Sequence, residues 1–505
     1  MLPYLSEVQN PSKKYSVVFR GINYGEGTQD GEFSETLNLS TDQYPCITQR
    51  AERMMRGSYS KDATTIHSKG ELLVIDGTKV MYGGTNVGSV KPGRKQIATV
   101  GNYIVIFPDK KYYNVESKKF EDMEATYEGT KLNFTESTIT KTGVSFPFGE
   151  GDAVKISGCS NNANNKTLII RGVDNGVLTF YENSFTAGEE SGTVTIKREV
   201  PDLEFICESN YRLWGTKDNT IYASKFSDPL NFFVFDGLSS DSYYIDVGSD
   251  GAFTGCVPYS SHICFFKENT LHKLYGTKPS NFQITTANVY GVQSGSERSM
   301  QIVNEQLLYK GVGGVYAYTG GVPELISECF GNKRFSDAVA CCDGEKYYIS
   351  MKQGDKWSMF AYDVLKNIWL REDDTQAVDM AFHNGKVYFL DSEGGLYYID
   401  KTADRNKVEW EAVLCTINET INERKVYSKF HLRVDLDKGA WIAVDVKTDN
   451  EPRWKQVYIT HNSRARTLSV PIMPVRCDSV DIRLRGKGKC TIKTFIREFT
   501  TGSDV

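Results

Sequence analysis

The chain has 505 residues, 40% hydrophobic and 24% charged, with 29 Tyr, 26 Phe and a formal net charge of −5. That length favours two to four folding units over one core, and the aromatic content suits pleated, half-buried surfaces. Mild net acidity excludes a general affinity for nucleic acid or anionic lipid, no apolar run approaches the roughly 20 residues of a membrane-spanning helix, and no secretory leader is expected at the start.

Residues 1–60 read as an extended arm. Within it, "DGEFSETLNLSTDQYPCITQR" (Asp30 to Arg50) is polar, with turn formers at Ser40, Thr41 and Asp42, and Pro45 forces Tyr44 towards an extended conformation. Two readings stand side by side: a lead-in strand that closes the β structure that follows, or an anchor whose Tyr44, Pro45 and Arg50 engage a neighbouring domain or subunit.

From residue 61 the pattern is all β, with period-2 or short apolar runs closed by Gly, Asn or Asp and no sustained helical spacing. One phrase of three strands and polar turns recurs, beginning with "QIATVGNYIVIFPDKKYYNVESKKF" and ending with "AVDMAFHNGKVYFLDSEGGLYYIDKTADRNKVEWE". Alignment by the third strand puts Tyr222, His272, Tyr316, Phe360 and Tyr397 in register, at the repeat length of a propeller blade. Six copies are evident, and a partial unit from Thr64 to Gly84 would make a seventh. The expected fold is therefore a β-propeller of six or seven blades over residues 61–120 and 201–412, since radial repetition leaves only short edges exposed.

Two segments break the rhythm. Residues 121–200 read as an inserted small β domain, with apolar runs separated by Asn- and Gly-rich turns. Residues 413–505 carry longer, cleanly alternating strands that predict a C-terminal β-sandwich. In that region Arg483 and Arg485 share one face of a strand and Lys487, Lys489, Lys493 and Arg497 follow. A solvated sheet face is the simpler reading, and a patch contacting nucleic acid or an acidic neighbour is the other.

Motifs for chemistry are sparse, and neither a catalytic residue, a cofactor nor a metal is predicted. The 6 histidines are scattered and read as packing or surface residues. "KGVGGVYAYTGG" lacks the Lys-Ser/Thr ending of a phosphate-binding loop, and "DVGSDG" fails as a calcium loop because its third and twelfth positions are Gly248 and Val257. The run Glu372, Asp373, Asp374 offers paired carboxylates of the kind glycoside hydrolysis uses, but reads more simply as a solvated loop. The 11 cysteines include no C-x-x-C, which fits reduced, buried thiols in a cytosol. Without a leader, the Asn-x-Ser/Thr triplets at Asn38, Asn133, Asn165 and Asn418 carry no glycosylation signal.

The arm supplies the one family signal. Asp30, Gly31, Glu32, Asn38, Leu39, Ser40, Asp42, Tyr44, Pro45 and Arg50 resemble a signature that precedes a propeller in virion proteins of tailed bacteriophages. The layout is similar to the tail nozzle, or tail-stabilisation, proteins of short-tailed phages. The resemblance implies a structural tail subunit without catalytic residues, in a homo-oligomeric ring for which six copies is one stoichiometry. It also implies other tail proteins as partners on the portal or adaptor side and the tail-fibre side, with genome DNA as transient cargo, and assembly of the virion in the host cytoplasm. A receptor-binding or carbohydrate-directed module, a propeller lectin or glycosidase, is the alternative expectation.

Overall fold

The computed structural model describes residues 11–449, 451–464 and 466–501. The chain divides into two compact units, Ser60–Glu297 and Met1–Tyr59 with Arg298–Val505. Among the described residues the secondary structure is all β apart from four short 3-10 turns. Seven of its sheets are four-stranded and antiparallel.

The unit Ser60–Glu297 holds four of these sheets, in which neighbouring strands are consecutive in sequence. The second strands, such as Tyr103–Phe107 and His262–Lys267, are almost wholly buried, whereas outer strands such as Tyr243–Asp246 and Gln283–Asn288 alternate with solvent. This gradient explains the continuous apolar runs "YIVIF" and "ICFF": each such strand is covered on both faces. Separate apolar clusters join the first sheet to the second, the second to the third and the third to the fourth. The hairpin at Asn210 and Tyr211 has positive φ at both residues, as tight antiparallel reversals require.

The insertion between the second and third sheets is an eight-stranded sheet running from Ala125 to Arg198. Its first and last strands in sequence, Ala125–Gly129 and Val194–Arg198, pair with each other, so the chain enters and leaves at one place. Phe134 and Phe180 both meet Phe185 edge-on in its separate core.

The other unit contains the remaining three four-stranded sheets and two larger ones. The fifth and sixth sheets share a core with Ile22 and Trp369, and the sixth and seventh share one with Cys341 and Phe389. The fourth strand of the seventh sheet is Arg53–Ser58, paired with Gly395–Ile399. The third-strand residues Tyr222, His272, Tyr316, Phe360 and Tyr397 all lie on third strands.

The terminal sheets face each other across a core with Phe33, Phe430, Leu432, Val444, Leu484 and Phe495. In Val480–Lys487 every second residue is buried, the alternation of a strand with one face in a core. The segments expected as an extended arm over residues 1–60 and a C-terminal β-sandwich over 413–505 meet in shared sheets. Ser12–Ser16 and Ile47–Gln49 pair with Cys490–Thr501, Glu32–Leu37 pairs with Glu409–Leu414, and Gly21–Ile22 lies parallel to Glu32–Leu37. The late strands leave an unfilled sheet edge that only these early strands complete. Residues 1–10 of the expected arm lie outside the described residues.

Candidate functional site

The signature segment runs from one terminal sheet to the other, and its conformation follows from a few residues. Gly31 has φ +84, and a Cβ there would stand 2.1 Å from the carbonyl oxygen of Val18, so only glycine fits. Asn38 takes φ 55, which asparagine tolerates better than most residues. That turn carries the chain from strand Glu32–Leu37 into strand Leu39–Ser40, which belongs to the other terminal sheet.

Asn38 is saturated with hydrogen bonds. Its backbone N–H donates to the Glu372 carbonyl at 2.7 Å, its side-chain amide donates to the Glu409 carbonyl at 2.8 Å, and its Oδ1 accepts from Arg50 Nε at 2.8 Å. Arg50 Nη2 lies 3.1 Å from Asp373, while Arg53 places one nitrogen 2.7 Å from Glu372 and another 2.8 Å from Asp373. Arg53 also lies over the Phe389 ring of the seventh sheet, 5.1 Å from its centre. Two arginines and two carboxylates thus form one network.

A second cluster centres on Asp42. Lys346 Nζ donates to Asp42 and, at 3.0 Å, to Ser40 Oγ. Arg405 reaches Asp42 at 2.8 Å and the Gln49 carbonyl at 2.9 Å, and Thr41 Oγ1 donates to Asp363 at 2.5 Å. Burial by itself would raise the Asp42 carboxyl, but the Lys346 ammonium, with hydrogen bonds from Lys346, Ser40 and Arg405, holds it well below the usual carboxylate range. Asp373 is likewise kept low, its burial outweighed by Arg53 and Arg50.

At the start of the segment, Arg497 is almost completely buried and binds Glu419 at 2.7 Å, Asp30 at 3.0 Å and Ser16 Oγ at 2.6 Å. Asp30, Gly31 and Glu32 border a cleft of about 400 Å³ beside this group.

The sequence-predicted residues separate cleanly. Arg50 is in the network, Pro45 accepts from the Phe19 N–H at 3.2 Å, and the Tyr44 ring is exposed. Arg483 and Arg485 lie elsewhere, 2.6 and 2.7 Å from the buried carboxylate of Asp445, with their guanidinium groups over Trp454 and Trp441. Lys487, Lys489 and Lys493 also face carboxylates, on Glu409, Asp437 and Asp435. A face so neutralised offers little positive potential to a phosphate backbone.

The solvated loop expected at Glu372, Asp373 and Asp374 is corrected: Glu372 and Asp373 end strand Ile368–Asp373 and Glu372 is buried, because Arg50 and Arg53 neutralise them. Asp374 pairs with Arg371. Glycoside hydrolysis needs one carboxylic acid with a raised pKa, and Asp373 is shifted the opposite way. Sequence reasoning missed Arg53, Lys346, Asp363 and Arg405 as partners. Their only local sign is a charged residue bordering an apolar strand phrase, which many other strands of this chain also show.

No family model matches the chain, and no curated protein matches it. Among solved structures, the computationally designed protein Ika8 is 12% identical over 69% of this chain and 99% of its own, with a TM-score of 0.35. BamB from Moraxella catarrhalis is 10% identical over 70% of this chain and 97% of its own, with a TM-score of 0.36. The endosialidase of phage phi92 is 11% identical over 77% of this chain and 69% of its own, with a TM-score of 0.24. Likeness at this level assigns neither a family nor an activity to this chain.

Proposed function

We propose that the chain is a structural component of a bacteriophage tail, a nozzle or hub ring subunit that extends the DNA-ejection channel and docks neighbouring tail proteins. In this reading the seven four-stranded sheets are the blades of a propeller, and strand Arg53–Ser58 completes the last blade from the N-terminal side. The inserted domain and the terminal sandwich present surfaces to other subunits, and a closed ring repeats each modest interface around its axis.

The observation that carries the reading is the destination of the signature. Asn38, Ser40, Asp42 and Arg50 fasten the terminal sandwich to the sixth sheet and to Arg405 through hydrogen bonds and ion pairs. That is an architectural use of the residues on which the phage resemblance rests. Electron microscopy of the purified chain and of the virions that contain it tests the proposal. Rings of uniform stoichiometry are expected, and a strictly monomeric protein absent from virions overturns it.

One feature favours the alternative, a receptor-binding or carbohydrate-directed module. A cleft of about 630 Å³ is bordered by Trp357, Tyr24, Glu35 and Arg371, and aromatic rings beside polar groups suit a saccharide. Incubation with host surface glycans separates the readings, since specific retention or release of reducing ends supports only the alternative.

A further inference from the structure

A smaller cavity, of about 220 Å³, opens beside the fifth sheet and has an unusual charge balance. Lys310, Lys333 and Arg334 border it together with a single carboxylate, Glu328. Lys310 is only 1% exposed and donates to the Gly311 carbonyl at 2.5 Å. Arg334 donates through Nη1 to the carbonyls of Gly331 and Lys333, at 3.0 and 3.3 Å. Among the described residues neither Lys333 nor Arg334 has a carboxylate partner, and the Lys333 ammonium rests on the Tyr24 ring.

The consequence is an ammonium group under pressure to discharge. Burial, and then the neighbouring Arg334 guanidinium, push Lys310 down to about 8. Burial also lowers Lys333, with the Glu35 carboxylate opposing the shift and Arg371 adding to it. An anion in the cavity relieves both. The walls are preformed: a Cβ on Gly314 would come within 2.5 Å of Ser327 Oγ, and that hydroxyl accepts from the Val315 N–H at 2.8 Å. The volume lies below the roughly 300 to 1,000 Å³ of pockets for drug-sized ligands but exceeds the needs of a bare ion.

We propose that this cavity is a binding site for a monosaccharide-sized ligand bearing a carboxylate or phosphate group, with the anion held by Lys310 and Arg334 and the hydroxyls facing Glu328. The site does not depend on the tail assignment.

Calorimetric titration of the full chain with glucuronate and with glucose 6-phosphate tests it, with glucose at matched ionic strength as the neutral control. Saturable binding of at least one anion is expected, weakened tenfold or more by Lys310→Met and by Arg334→Gln. Whichever anion binds more tightly identifies the preferred group. Should Lys310→Met fail to fold, Arg334→Gln, on the exposed rim, still decides the matter. No binding of either anion beyond that of glucose, or binding unchanged in the variants, overturns the site.

Discussion

The inserted domain and the terminal sandwich are both appended to stacked four-stranded sheets, but they are fastened in different ways. The insertion hangs from two adjacent strands. Its attachment is a small polar knot in which Arg198 binds Asp152 at 2.7 Å and the Met123 carbonyl at 3.0 Å, while Asn231 of the third-sheet region donates to Asp152 at 3.0 Å. The sandwich has no such single root. It is completed by strands drawn from residues 12–49, it shares its core with Ile368 and Leu370 of the sixth sheet, and it is pinned again by Arg50, Arg53 and Asp42. A domain entered and left at one point is separable, whereas one assembled from distant segments is part of the frame.

Truncation breaks this comparison most severely. Replacing residues 125–198 by a short linker is expected to leave a cooperatively folded protein, as judged by urea unfolding and limited proteolysis. Removing residues 1–50 is expected to abolish the soluble native state, because five strands and the junction go with it. If the second truncation folds as well as the first, the sandwich is not stitched in the way described.

Point substitutions sharpen the same contrast. Arg53→Met strands the buried Glu372 and the half-buried Asp373 beside one remaining arginine, and a loss of about 3 kcal/mol is expected from urea midpoints. Arg198→Met removes one ion pair and the hydrogen bonds to Met123, for about 2 kcal/mol, and early protease cuts should fall within the insertion.

Acid separates the two compact units. Burial, aided by Lys69 and Lys267 respectively, lowers His67 and His272 to about 4, so both stay neutral in the fold. The unfolded chain takes up these protons first, and stability present above pH 6.5 is lost as pH falls towards 4, on the order of 2 kcal/mol per group. Replacing both by Gln should flatten that part of a pH–stability curve. Asp42 and Asp373 are also lowered, so the sandwich junction keeps their contribution until the pH falls below about 4, the unfolded carboxylate range. At the other extreme, Tyr44→Ala removes an exposed ring and should change stability by less than about 0.5 kcal/mol. A large effect on ring assembly with no effect on stability would make Tyr44 an intersubunit contact.

Six of the repeated sheets were legible because each is local. Its strands follow one another within some forty residues, and the buried second strand marks itself by an unbroken apolar run such as "ICFF". The insertion was legible for the same reason. The sandwich was legible only from its late strands. The pairing of Ser12–Ser16 with Cys490–Thr501, and of Arg53–Ser58 with Gly395–Ile399, leaves no periodic trace in either segment alone. Nor does Asn38 announce that Glu372 and Glu409 will supply its acceptors, since those contacts exist only once three sheets have met. The segment from Asp30 to Arg50 stood out in the sequence before its mechanical purpose could be read.

The pairing of Ser12–Ser16 with Cys490–Thr501 also sets a schedule during synthesis. At elongation rates of about 5 to 20 residues per second, the early strands wait roughly half a minute to a minute and a half for their partner to leave the ribosome. The stacked sheets and the insertion can close during that interval. The segment made before its partner is therefore locked only after it, and for that time its unpaired strand edges depend on the dilution and chaperones of the cell.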